Sequence, residues 1–252
     1  MGIKNLYKYI LENNLEKELD ISELKNKIIA IDISILLYQV VISTRSKCGA
    51  DHLSPSGEIS THILGLFNKT MLLIKRGIIP VYVFDGKPPD IKKKILDARK
   101  FIRLKALEKL ANAKTREERI KYFKRCVQIT QQQIDQAKEL LDLMGIPYVN
   151  ASEEADSQCA YLSRNNLVDA VLTEDLDILT FGSKYIVKNL TSHKLKPIKI
   201  SLDKILKTLD INYKNFVEFC VLLGCDYSNS LSDVNPDILF FYYKKYLNIP
   251  DT

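Results

Sequence analysis

The chain has 252 residues, 46% hydrophobic and 27% charged, with a net charge of +6. That composition suits one large or two small globular α/β domains and excludes fibrous and low-complexity classes. Five cysteines without a CxxC pair and three scattered histidines exclude a zinc pattern, and free, mostly buried thiols in a reducing compartment are expected.

The opening MGIKNLYKYI turns polar within a few residues, so no secretory signal is read there. Gly2 does not make a myristoylation motif, because Leu6 stands where Ser or Thr is needed. No apolar run approaches the ~20 residues that span a bilayer.

In chain order, Lys27–Asp32 reads as a strand, followed by a helix near Ser34–Thr44. Residues 58–76 have a helical pattern, Ile78–Phe84 is a second strand, and GKPP (Gly86–Pro89) breaks the chain. The stretch from Asp90 to about Lys124 is helical by propensity but lacks a continuous apolar stripe, so it projects or bridges. From Lys92 to Arg125 it holds 14 Lys or Arg against Asp97, Glu108, Glu117 and Glu118, a net of +10 that leaves −4 for the remainder. A basic element opposite an acidic pocket suits a polyanion.

An amphipathic helix from about Gln128 to Met144 stops at Gly145, with Pro147 beyond. Tyr148–Val149 is a short strand, Glu153–Arg164 a helix, Asp169–Thr173 and Tyr185–Leu190 further strands. The tail is helical over Leu202–Leu209, Tyr213–Leu223 and Pro236–Leu247. Alternating strands and helices predict an α/β fold with a mostly parallel sheet flanked by helices. With no linker or repeat, a single domain over 1–252 with a projecting insertion is expected.

Seven acidic residues mark the ends of short segments: IIAID (Asp32), VYVFD (Asp85), SEEAD (Glu154, Asp156), AVLTEDLD (Asp175, Asp177) and VLLGCD (Asp226). In open parallel sheets ligands bind beyond the carboxyl ends of the strands, where Asp32, Asp85 and Asp175 fall. Two unit charges ~4 Å apart cost on the order of 4 kcal/mol at an effective dielectric near 20, so seven together call for cations. Oxygen ligands without His or Cys point to Mg²⁺, with Mn²⁺ as a substitute, and to phosphodiester cleavage. Singly each acid has an ordinary reading. Asp85 can be a turn acid before Gly86. Ser152 is a credible N-cap, beside which Glu153 is the expected bystander.

The chain resembles the flap endonuclease family, the XPG-type structure-specific 5′ nucleases. The matching segments are MGIKNL, IAIDISILLYQ (29–39), VYVFDGKPP (81–89), LMGIPYV (143–149), SEEADSQCAYL (152–162), LTEDLDILTFGS (172–183) and LLGCDY (222–227), in family order. The resemblance implies a PIN-like, resolvase-like sheet with a basic helical arch inserted at about 90–127 and a helical C-terminal region. It implies two Mg²⁺ ions held by Asp32, Asp85, Glu154, Asp156, Asp175, Asp177 and Asp226. It also implies that Lys92 and Arg99, seven apart on one helix face, reach the scissile phosphate. Tyr38 would stack near the unpaired terminal nucleotide. Arg45 and Lys69 match positions that meet DNA backbone, while Lys93, Lys94 and Arg103 read as further phosphate contacts.

The implied activity is metal-dependent cleavage of DNA with a single-stranded 5′ flap, in replication and repair. The implied setting is intracellular, at sites of DNA replication, whether nucleus, cytoplasm or viral factory. Three departures matter. Asp156 stands for the usual Glu, as in related 5′→3′ exonucleases and junction resolvases, which keeps that reading open. DVNPD (Asp233–Asp237) replaces the glycine-rich turn of a helix–hairpin–helix (about 212–247), where a phosphate and K⁺ would sit. The chain ends at Thr252 without the tail that carries a sliding-clamp motif, and PDILFFYY (236–243) has Pro where that motif needs Gln. That segment is expected to be a core helix, and the protein a monomer. A metal-free DNA-binding scaffold is the reading from another class, and the intact acid set argues against it.

Overall fold

The computed structural model describes residues 2–48, 50–54, 57, 59–192, 195–226, 228 and 234–247, and divides into two compact units. One unit comprises residues 1–23 with 156–252, and the other residues 24–155.

The chain begins in the first unit with α1 (Leu6–Glu12) and a short edge strand, β1 (Glu16–Glu18). It then builds the second unit from β2 (Ile28–Asp32), α2 (Ile33–Cys48), α3 (Thr61–Lys75), β3 (Ile79–Phe84), α4 (Lys93–Ala111), α5 (Arg116–Arg125), α6 (Gln131–Met144) and β4 (Tyr148–Asn150). It returns to the first unit as α7 (Ala155–Arg164) leads into β5 (Ala170–Leu172), α8 (Asp177–Thr180), β6 (Tyr185–Lys188), β7 (Ile198–Ser201), α9 (Leu202–Leu209), α10 (Tyr213–Leu223) and α11 (Pro236–Leu247).

In residues 24–155 the strands run parallel in the order β2-β3-β4, with Asp32 beside Val83 and Phe84 beside Asn150. The apolar runs that read as strands are buried here: Ile29, Ile31, Tyr82 and Phe84 lie at the centre with Leu37, Leu66 and Leu141. Parallel strands buried on both faces require such continuous apolar sequence.

In the other unit the order is β1-β7-β6-β5. β5 pairs parallel with β6, whereas β7 runs antiparallel to both β6 and β1. This unit thus has an antiparallel margin that the sequence did not signal. Glu16–Glu18 carries no apolar alternation to reveal a strand, and charge is what an edge tolerates. The core beside it includes Val171, Ile186, Ile200 and Phe216 and a cluster of tilted and edge-on rings: Tyr9 lies 5.4 Å from Phe219, which lies 5.1 Å from Phe240.

The basic stretch is two helices, broken near Asn112. Thr115 accepts from the Glu118 N–H while the Glu118 carboxylate accepts from the Thr115 N–H, a capping box that starts α5. The same device at Thr130 and Gln133 starts α6 three residues later than periodicity suggested. α4 buries only Ala106 and leaves Phe101 and Ile102 exposed, as a projecting helix should.

α11 corrects another expectation. Phe240 joins the ring cluster, but Ile238, Phe241, Tyr242 and Tyr246 are exposed, so only one side of this helix is core. Asn235 caps it, accepting from the Asp237 N–H at 2.7 Å ahead of Pro236 in the first turn. Asp233, the other half of the altered hairpin, lies outside the described residues. Among the described residues Cys126, Cys159, Cys220 and Cys225 form no disulfide, and Cys159 and Cys220 are buried. No helix among the described residues is long and apolar enough to cross a membrane.

Candidate active site

Within residues 24–155, neighbouring parallel strands deliver Asp32 and Asp85 to the same end of the sheet. Asp32 is buried, and its Oδ1 accepts from the N–H groups of Ser34 (2.7 Å) and Ile35 (3.3 Å), capping α2. The Ser34 hydroxyl donates to Asp85 Oδ2 at 2.5 Å, which links the two acids through a residue the sequence reading did not single out. Asp85 Oδ1 accepts from the Ala155 N–H at 2.9 Å.

The FDGKPP turn is docked by its glycine. A Cβ on Gly86 would lie 2.3 Å from the Ala151 carbonyl oxygen and 2.5 Å from that of Ser152. Its N–H donates to the Glu153 carbonyl at 2.6 Å. This tie-down keeps Glu153 and Glu154 in a turn, so α7 begins at Ala155 rather than at Glu153. Glu154 Oε1 pairs with Lys92 Nζ at 2.5 Å, both side chains largely buried.

The remaining acids belong to residues 156–252. Asp156 lies in the first turn of α7. Thr173 ends the segment after β5, and its hydroxyl accepts from the Asp175 N–H at 3.0 Å. Asp175 Oδ1 accepts in turn from the N–H of Asp177, the first residue of α8, at 3.1 Å. Asp177 is buried and accepts from the Ile3 N–H at 2.7 Å.

Gly2, at φ 92, packs on the same pair: a Cβ there would come within 2.5 Å of Asp175 Oδ1. Burial, then the charge of Asp175, push the Asp177 carboxyl up to about 7; the Ile3 amide opposes this and Asp226 adds to it. Like charges gathered around a buried carboxyl are relieved by a cation, and their all-oxygen donors suit a hard divalent ion. Among the described residues no three such donors form a ready-made metal cluster. Asp32, Asp85, Glu154 and Asp177 are each engaged by protein donors instead.

The expected DNA contacts differ in placement. Lys93 and Lys94 are exposed in the first turn of α4, while Arg99, Arg103 and Lys69 are half-buried. Tyr38 is 36% exposed, its hydroxyl donating to the Val127 carbonyl at 3.0 Å. Arg45 is engaged inside its unit. It makes two bonds to Asp51 (2.9 and 3.1 Å), donates to the Phe123 carbonyl (3.0 Å) and stacks 4.0 Å over the Phe123 ring. Tyr38 and Arg45 therefore tie α2 to the C-terminal foot of the basic helical pair.

Comparison with known proteins agrees with this architecture. Residues 1–109 match the XPG N-terminal domain and residues 145–226 the XPG I-region. Flap endonuclease 1 of Debaryomyces hansenii is 39% identical over 254 residues, covering 98% of this chain and 67% of that protein. Flap endonuclease 1 of Aedes aegypti is 43% identical over 244 residues, covering 94% and 64%. Among solved structures, the catalytic core of Rad2 in complex with DNA substrate superposes with a TM-score of 0.75 at 29% identity, covering 98% of this chain and 70% of that one. The chain belongs to the XPG/flap endonuclease family. It spans about two thirds of the length of the two curated relatives named above.

Proposed function

We propose that this chain is a divalent-metal-dependent, structure-specific 5′ nuclease that hydrolyses DNA carrying a single-stranded 5′ flap at a duplex junction. The observation that carries the reading is the TEDLD loop, where buried Asp177 donates its N–H to Asp175 Oδ1 at 3.1 Å, so that two carboxylates stand together. Asp32, Asp85, Glu154, Asp156 and Asp226 complete the proposed ligand set for two Mg²⁺ ions. Such ions, when bound, supply an activated water and stabilise the attacking and leaving oxygens.

The chain's own residues do the rest. Asp32 and Asp85 present oxygens fixed by backbone and hydroxyl donors, and Glu154 one that rests on the Lys92 ammonium. Lys92 and Arg99 neutralise charge that develops on the phosphate, a preorganised electrostatic contribution. Lys93, Lys94, Lys69 and Arg103 hold the sugar–phosphate backbone and position it without reading sequence. The exposed ring of Tyr38 offers a stacking face to the terminal nucleotide. The products carry a 5′-phosphate and a 3′-hydroxyl.

Asp156 favours a second reading, a 5′→3′ exonuclease or junction resolvase of the same family. Labelled flap, nicked, blunt, four-way and single-stranded DNAs, each with Mg²⁺ or EDTA, separate the two on one gel. Release of the intact flap in Mg²⁺ alone supports the proposal. Stepwise mononucleotides or paired junction nicks support the second, and cleavage that survives EDTA overturns both.

A further inference from the structure

Lys188, the last residue of β6, has a side chain only 7% exposed, yet it takes no part in the proposed chemistry. Its ammonium donates to the main-chain carbonyl of Glu174 at 2.5 Å and lies 3.3 Å from Glu174 Oε2. The ring centroid of Tyr7 is 4.9 Å away on another side. The following residue, Asn189, has φ 60 and donates its N–H to Glu174 Oε1 at 2.8 Å. Glu174 is thus gripped by both its peptide carbonyl and its carboxylate.

That grip bears on the acids beyond it. The Glu174 carbonyl belongs to the peptide whose N–H is that of Asp175 and points to Thr173 Oγ1. The peptide plane is therefore held from both ends, by Lys188 on its oxygen and by Thr173 on its nitrogen. Rotating it would break both bonds and swing Asp175, whose Oδ1 receives the Asp177 N–H. A buried ammonium is unfavourable unless its protons are placed, and an apolar residue would fill the end of β6 without that requirement. The Glu174 carboxylate is 41% exposed, so its ion pair is the weaker contact and the carbonyl bond the one that orients.

We propose that Lys188 is a positioning residue, which fixes the Glu174–Asp175 peptide so that Asp175 and Asp177 face the metal ions correctly. The proposal rests on the reading of those two acids as ligands. Residues that orient ligands from outside change metal affinity or activity by 10–100-fold when removed.

The test compares wild type, Lys188→Met, Lys188→Gln, Glu174→Gln and Asp175→Asn. Folding is checked by circular dichroism and melting, Mn²⁺ binding by calorimetry without DNA, and flap cleavage by Mg²⁺ titration. Lys188→Met is expected to bind Mn²⁺ about tenfold more weakly and to need about tenfold more Mg²⁺ for half-maximal cleavage. Lys188→Gln, which keeps an amide NH₂ as donor but loses the charge, is expected to lose about threefold, and Glu174→Gln less than Lys188→Met.

Wild-type Mn²⁺ affinity in folded Lys188→Met overturns the proposal, as does equal loss in Lys188→Met and Lys188→Gln. Should Lys188→Met not fold, Lys188→Gln decides: a threefold or greater loss supports the clamp, and unchanged affinity overturns it. Asp175→Asn separates the two readings. If it binds and cleaves as wild type, the ligand assignment itself falls. If it is inactive while Lys188→Met is normal, only the clamp falls.

Discussion

Lys92 Nζ lies 2.5 Å from Glu154 Oε1, with the two side chains 16% and 14% exposed. A cation expected to meet the scissile phosphate therefore rests on a carboxylate expected to hold a metal ion, so each can exchange its partner when DNA and metal arrive. Lys92→Ala is expected to slow single-turnover cleavage by 100-fold or more at saturating enzyme and Mg²⁺, since one transition-state donor is worth ~3–4 kcal/mol. Flap affinity should stay within about threefold, one contact among many. Arg99→Ala is expected to behave alike. Saturated rates equal to wild type would show that these two residues merely hold DNA.

Asp175→Asn is expected to abolish cleavage and leave flap binding within several-fold, because a proposed metal ligand is lost while the basic helices remain. Gel shifts in Ca²⁺ and single-turnover rates in Mg²⁺ measure the two effects separately. Turnover at the wild-type rate would remove Asp175 from the ligand set.

Arg45 gives a prediction of opposite character. Its bonds to Asp51 and to the Phe123 carbonyl make it an anchor for the foot of α5. Breaking a mostly buried ion pair costs about 3 kcal/mol, and Lys cannot restore the two-pronged geometry. Arg45→Ala and Arg45→Lys should both lower the melting temperature and speed proteolysis between residues 112 and 127. A reduced salt slope of binding, by about 0.9, with unchanged melting would mark Arg45 as a phosphate contact instead.

His62 supplies a pH dependence away from the acids. It is buried on α3, its Nε2 lies 2.8 Å from Gln136 Oε1, and its Nδ1 has no hydrogen-bond partner among the described residues. Burial holds its pKa below the usual histidine value of 6.5. The unfolded chain then binds a proton at higher pH than the folded one, so stability falls as pH drops below about 6.5 and is unaffected above it. The slope is at most about 1.4 kcal/mol per pH unit from this group. Melting curves from pH 5 to 7.5 should steepen in wild type relative to His62→Gln; parallel curves would contradict the assignment.

The Asn235 side chain is occupied in capping α11. Asn235→Ala should destabilise the protein by about 1 kcal/mol and Asn235→Gly by only a few tenths. Duplex affinity should be the same in K⁺ and Na⁺ at one ionic strength. A strong K⁺-specific gain would mean that the altered turn still cradles a phosphate.

Much of this was legible in the chain itself. Apolar runs closed by Asp32 and Asp85 read as strands, because periodicity and run length are local properties of sequence. The breaks at Gly86 and Gly145, the three C-terminal helices and the projecting basic stretch followed from the same short-range rules. The capping boxes at Thr115 and Thr130 were equally readable and would have set both helix starts.

Tertiary structure decided what depends on partners distant in sequence. It withdrew Arg45 into the protein, paired Lys92 with Glu154 and exposed half of α11. It also made strands of Glu16–Glu18 and Ile198–Ser201 and closed Lys188 over the Glu174 carbonyl. The physical reason is the same throughout. A side chain's periodicity is written in its neighbours along the chain. Its charge state, its hydrogen-bond partner and its exposure are set by residues that only folding brings near.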